Sequence, residues 1–226
     1  MILGSLTHVF TLGSAADARE YLIAEGCAAR RGKKWDAAKE MAAGEGKTPV
    51  LPSQVEEARG MAASVLAHPL ASTILEHVGP IEQAIRWTDP DTGLKLKCKP
   101  DAVIVAKKHR EAIFYDLKTT ADLAAFGRKT VPQYKHHRQA QLYLDGLRTT
   151  LPEGTLLGFE WIIVGKTKPY DVLVRRPPPG MMLQATEDLA GLLGRLANSF
   201  KTDTWELPDS NTIETIDDLP RWAQTR

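Results

Sequence analysis

The chain has 226 residues with 29 basic and 28 acidic side chains, so no global field marks it for a polyanion, and any nucleic-acid affinity must come from local clusters. Two cysteines, Cys27 and Cys98, exclude a disulfide framework, a four-thiolate zinc site and an iron–sulfur cluster. No run reaches the ~18 apolar residues of a membrane span and no signal pattern opens the chain, which points to a soluble, cytoplasmic protein of one domain.

From the N-terminus, residues 14–43 read as helical, rich in alanine and charge, with "ARRGKKW" (29–35) as an interruption. "GEGKTPVLP" (44–52) reads as a loop. Ser53 and Glu56 have the spacing of a helix capping box, and the helix they open runs to Pro69, with a shorter one over 70–77. The pattern then changes. "IEQAIRW" and "GLKLKC" flank the turn cluster "TDPDTG" and predict a β-hairpin. "DAVIVA" and "EAIFYDLK" predict two further strands around "KKHR". A long helix is expected over about 131–149, two late strands in "TLLGFEWIIVG" and "YDVLVRR", and a closing helix in "GMMLQATEDLAGLLGRLANSF". The last stretch, about 205–226, reads as a loosely structured tail. Helices, a strand meander, a helix and two more strands make a mixed α/β domain.

The informative stretch is "FYDLKTT" (114–120), which starts thirteen residues beyond Asp101 of "KCKPDAVIV". Alternate strand residues share a face, so Asp116 and Lys118 point one way while Ile113, Tyr115 and Leu117 point the other. Either this is a surface ion pair on an amphipathic strand, or it is half of a catalytic site. If the two strands pair through "KKHR", Asp101, Asp116 and Lys118 converge at one end of the sheet. Carboxylates brought together repel unless a cation sits between them or one holds a proton. Such oxygen ligands suit Mg²⁺ or Mn²⁺. A metal there would acidify a bound water and neutralise charge on a phosphodiester, with Lys118 orienting the attacking water or helping to deprotonate it.

"KPD…DLK" resembles the PD-(D/E)xK nuclease signature, proline included. The surrounding "IEQAIRWTDPDTGLKLKCKPDAVIV…IFYDLKTTADLAAFGRKTV…HHRQAQLYLDGL" is similar to the RecE-type, exodeoxyribonuclease VIII-like branch of phage and prophage exonucleases, related to the RecB-like nucleases. The agreeing pieces run from "GSLTH" (4–8) to "KPYDVLV" (168–174). The resemblance implies a restriction-endonuclease-like α/β core, a central mixed sheet flanked by helices. It implies Asp101 and Asp116 as metal-binding acids, for one or two ions, with Lys118 as the catalytic lysine. Leu117 would lend its backbone carbonyl to the metal. Glu82 matches an upstream acid that holds metal directly or through water, and His8 matches an N-terminal histidine near the metal. Gln139 and Tyr143, on one face of the following helix, match a Q-x-x-x-Y signature. They either position phosphate or the lysine, or Tyr143 is simply core. Lys99 stands where an arginine is common, and His136 where a tyrosine is common.

Two basic clusters are candidate DNA contacts: Arg30, Arg31, Lys33 and Lys34, followed by Trp35, and Arg128 and Lys129 through Lys135, His136, His137 and Arg138. Cations of this kind neutralise phosphates, while Trp35 would stack on a base or wedge at a duplex end. The expected activity is 5′→3′ digestion of double-stranded DNA ends, leaving 3′ single strands for recombination. The expected partners are the DNA end, a single-strand-annealing recombinase and further copies of this chain in a ring; no membrane is involved. A structure-specific or restriction-like endonuclease on the same fold is the alternative, followed by a non-catalytic recombination mediator.

Overall fold

A computed structural model describes residues 2–13, 15–79 and 83–205. Glu82 and almost all of the 205–226 stretch therefore lie outside the described residues. The elements are α1 (Ile2–Thr11), α2 (Ala15–Ala18), β1 (Tyr21–Ile23), α3 (Lys33–Gly44), β2 (Thr48–Val50), α4 (Pro52–Ala67), α5 (Pro69–His77), β3 (Ile85–Thr88), β4 (Lys95–Cys98), β5 (Ala102–Ala106), β6 (Glu111–Thr120), α6 (Val131–Tyr134), α7 (His136–Arg148), β7 (Leu156–Gly165), β8 (Val172–Arg175) and α8 (Pro179–Thr202).

The central sheet has the order β5-β6-β7-β8. β5 and β6 are antiparallel through a 3₁₀ turn at Lys107–His109, β6 and β7 are parallel over ten residues, and β7 and β8 are antiparallel. It is a mixed sheet with helices on both faces. Side-chain alternation along β6 and β7 sends Tyr115, Leu117, Ile162 and Val164 to one face, where Met61 and Val65 of α4 and Ala71 and Ile74 of α5 cover them. Phe114, Phe159, Trp161 and Ile163 go to the other, against Ala140, Leu144 and Leu147 of α7. Strands apolar on both faces are what a parallel pair covered by helices requires. α1 packs on α4 through Leu6, Val55 and Ala58.

Several sequence expectations are corrected. The helix expected over 14–43 is broken by β1, which pairs in parallel with β2 in the segment read as a loop. Positive φ at Gly26 and Gly32 turns the chain between β1 and α3, and α3 begins inside the expected interruption. α4 opens one residue earlier than Ser53: Pro52 presets its first turn, and the Leu51 N–H donates to Gln54 Oε1 (3.1 Å). The hairpin β3–β4 forms as expected but as a separate two-stranded sheet. It leans on α7, where Gly146 is required: a Cβ there would lie 2.9 Å from the Trp87 ring and 3.0 Å from Cys98 Sγ. The long helix of 131–149 is split by Lys135, whose φ of 57° is left-handed, and is preceded by a π-helical turn at Phe126–Thr130.

Candidate active site

The β5–β6 register pairs Ala102 with Tyr115. Continued by one residue it sets Asp101 opposite Asp116. The Asp101 carboxylate reaches across the strand gap, and its Oδ2 accepts the Leu117 N–H at 2.7 Å. His8, delivered by α1 from 109 residues away, holds the same node from the other side. Its Nε2 lies 2.6 Å from the Leu117 carbonyl and its Nδ1 3.4 Å from Asp101 Oδ2. Burial works against a charge on this imidazole. The hydrogen bond and attraction of Asp101 outweigh it, and the pKa of His8 is raised.

Asp116 points to the face of β6 away from the Leu117 side chain, the face that α7 covers, and is 2% exposed. Its Oδ2 lies 2.7 Å from Lys118 Nζ, yet makes no hydrogen bond of ordinary geometry. Burial pushes this carboxyl up to about 6; Lys118 pulls the other way, and the Asp101 charge adds to the push. Beside it α7 carries Gln139, whose Nε2 donates to Tyr143 Oη at 3.0 Å while its Oε1 is buried without a partner. Burial, then the Asp116 and Asp101 charges, raise the Tyr143 phenol well above its usual range. Trp161, the register partner of Asp116 on β7, completes the wall, and its indole N–H is also buried and unpartnered.

The donor set suits a hard cation. Two carboxylates and a backbone carbonyl meet around Leu117, and a buried carboxylate oxygen is left short of hydrogen bonds. Asp101, Asp116 and the Leu117 carbonyl would hold Mg²⁺ or Mn²⁺, with His8 adjoining. Among the described residues no three His, Cys, Asp or Glu side chains are gathered as a finished cage; Glu82 lies outside them.

Several of the expected DNA contacts are placed differently. Trp35 is 9% exposed, so its ring is not offered to a base; Arg30 covers it at 5.7 Å and donates to Gln54 Oε1 at 3.0 Å. Arg31, Lys33 and Lys34 remain exposed. In the second cluster Arg128, Lys129 and Lys135 are exposed, but Arg138 Nε is tied to Asp188 Oδ2 of α8 at 2.7 Å, with His137 Nε2 at 3.5 Å from the same oxygen. His136 is not a cation near neutral pH. Burial, then the charges of Lys118 and His137, bring it down to about 4. Asp188, Trp161 and the ring of Tyr134 were not visible as neighbours of the site in the sequence. Only the strand register and the α7–α8 packing bring them there.

A buried Asp-x-Lys on a central strand of a four-stranded mixed sheet, with a second aspartate immediately ahead of the adjoining antiparallel strand, defines a restriction-endonuclease-like nuclease fold. The chain belongs to the family described as "PDDEXK-like domain of unknown function (DUF3799)", whose model matches residues 1–216. Among solved structures it is similar to a presumed exonuclease from Eubacterium rectale, at 16% identity and a TM-score of 0.54, over 80% of this chain and 70% of that one. A second structure, SSO0001, aligns over 62% of this chain and 63% of its own at 21% identity and a TM-score of 0.30. No curated protein matches the sequence. Among the described residues no helix is long and apolar enough to cross a membrane.

Proposed function

We propose that this protein is a metal-dependent exodeoxyribonuclease that hydrolyses double-stranded DNA from its ends, in the manner of the RecE-type enzymes its motifs resemble. The observation that carries the reading is the arrangement around Leu117. Asp101 is fixed on the Leu117 N–H, Asp116 is buried beside it on β6, and Lys118 is paired with Asp116 at 2.7 Å. A structural ion pair has no need of a second aspartate locked to the same three residues.

When bound, the cation would supply an acidified water and charge neutralisation at the phosphodiester. The chain's own groups do the rest. Asp116 is held ready to be ionised by a positive neighbour. Lys118, its side chain 17% exposed, is rooted on the carboxylate, and its ammonium orients the attacking water and meets the charge growing on the phosphoryl oxygens. The Leu117 N–H fixes Asp101, and His8 keeps the Leu117 carbonyl aimed at the same node. Gln139 and Tyr143 close the α7 side and restrict water there. By the same resemblance the products are 3′ single strands for an annealing recombinase, and copies of the chain assemble around the duplex.

The test is an end-labelled linear duplex digested beside a covalently closed circle in Mg²⁺. The expected result is loss of the linear DNA, with label released as short products and the circle intact. A nicked or linearised circle makes the protein an endonuclease, and binding without cleavage in Mg²⁺ or Mn²⁺ overturns the enzymatic reading.

A further inference from the structure

Three rings are stacked between the end of β6 and the start of α7. Phe126, 3% exposed, stands edge-on to Trp161 at 5.7 Å and so is anchored in the wall beside Asp116. His136 lies nearly flat on Phe126, with centroids 6.0 Å apart and 17° between planes. Tyr134 lies on His136 at 5.8 Å and 27°. The imidazole is thus the middle layer. Tyr134 is the outer one, 63% exposed.

The backbone is bent to make this stack. Lys135, between the two upper rings, takes a left-handed φ of 57°, a conformation that is strained for a side chain of this kind and that folds Tyr134 back over His136. His136 shares its face of α7 with Gln139 and Tyr143, three and seven residues on, so the stack rises from the reaction centre itself. Lys135, between the two upper rings in sequence, and Arg128 and Lys129, on the turn that carries Phe126, are exposed. An open aromatic face beside exposed cations, with no further ring from the described residues laid upon it, matches the chemistry of an unpaired nucleotide: base on the ring, phosphates on the cations.

We infer that Tyr134 is a stacking platform for a nucleobase freed from pairing at the DNA end, holding that end beside Asp116 and Lys118. This rests on the nuclease reading above. It adds a substrate-contacting residue and a preference for ends with unpaired bases.

The experiment compares two probes, a blunt duplex and the same duplex with a short single-stranded extension, bound in the absence of divalent metal to protein carrying Asp116→Asn. Adding Tyr134→Ala should weaken binding of the extended duplex roughly 5- to 150-fold, the range of one lost base stack, and change blunt binding much less. Tyr134→Phe should stay within about twofold because the π face remains, whereas Tyr134→Leu, similar in bulk without it, should behave like alanine. A fluorescent 2-aminopurine in the unpaired stretch should be quenched on binding to the parent and to the Tyr134→Phe protein, and not with the alanine or leucine variants. Since Tyr134 is exposed, all three variants should melt with their parent. If wild type digests linear DNA and Tyr134→Ala matches its parent on both probes, the platform is overturned while the nuclease reading stands. If wild type neither digests nor binds DNA, the nuclease reading falls and the platform falls with it.

Discussion

Asp116 combines two properties that one side chain rarely holds without a function: it is almost wholly buried, and its pKa is raised to about 6, chiefly by that burial. In the window between the ordinary carboxylate value of about 4 and about 6, the folded state binds the extra proton. Metal-free stability contributed by this group therefore falls as pH rises through that window and is fully lost above it. Asp116→Asn should reverse the loss, so that the metal-free variant melts above wild type near neutral pH and the gap closes at about pH 4, as thermal scans across pH would read. The same variant should lose at least roughly a hundredfold in single-turnover hydrolysis, since an amide replaces a ligand and the chemistry it supports. Lys118 answers a different question. An exposed ion pair contributes only about 0–1 kcal/mol, but this one faces a buried carboxylate. Lys118→Ala should push Asp116 further up and lower the melting temperature more at neutral pH than near pH 4. Hydrolysis should disappear while Mn²⁺ binding, measured on the same sample, persists. A variant that cleaves normally would reduce Lys118 to a structural partner.

α7 carries the site's roof and also anchors the β3–β4 hairpin, and Gly146 is where the two meet. Glycine within a helix costs up to about 1 kcal/mol against alanine, yet a Cβ at Gly146, in the last turn of α7, would strike Trp87 and Cys98 at about 3 Å. Gly146→Ala should therefore be destabilising on balance, by roughly 1 kcal/mol once overpacking is set against the helix gain. Adding Cys98→Ala, which removes one of these contacts, should recover part of it in urea midpoints. This docking also shows why the sequence is legible in places and silent in others. β5, β6 and β7 announce themselves through long β-branched and aromatic runs, and Asp101 immediately precedes one of two neighbouring strands joined by a short turn while Asp116 and Lys118 lie on the other, so their convergence follows from local pattern. β1 and β2 are three residues each and pair in parallel across an intervening helix, which leaves no local signal. Nor does a left-handed Lys135, because lysine carries no mark of positive φ as glycine does. His8 meets Leu117 across 109 residues, and only the family resemblance brought it into view.

The even balance of charge, +1 over the whole chain, means that duplex affinity has to be concentrated, and the fold thins the track that sequence suggested. Four cations between Arg128 and Arg138 would each be a phosphate contact on sequence alone. Arg138 is already engaged by Asp188, whose carboxyl that hydrogen bond holds below its usual range, with Gln184 assisting. His136 is neutral within its stack. The exposed cations left in this cluster are thus Arg128, Lys129 and Lys135. Replacing these three by alanine in protein carrying Asp116→Asn should shrink the slope of log affinity against log salt by about 0.9 for each contact, roughly 3 in all. Arg138→Ala alone should leave the slope almost unchanged, and Asp188→Ala, which frees Arg138, should steepen it by up to about 0.9. The weakening should be similar across DNA sequences, since phosphate contacts position a duplex without reading it. Titrations of a blunt duplex at several salt concentrations decide the matter. If the triple variant keeps the parent's slope, the duplex runs elsewhere, and Arg31, Lys33 and Lys34, exposed around the start of α3, become the cations to remove.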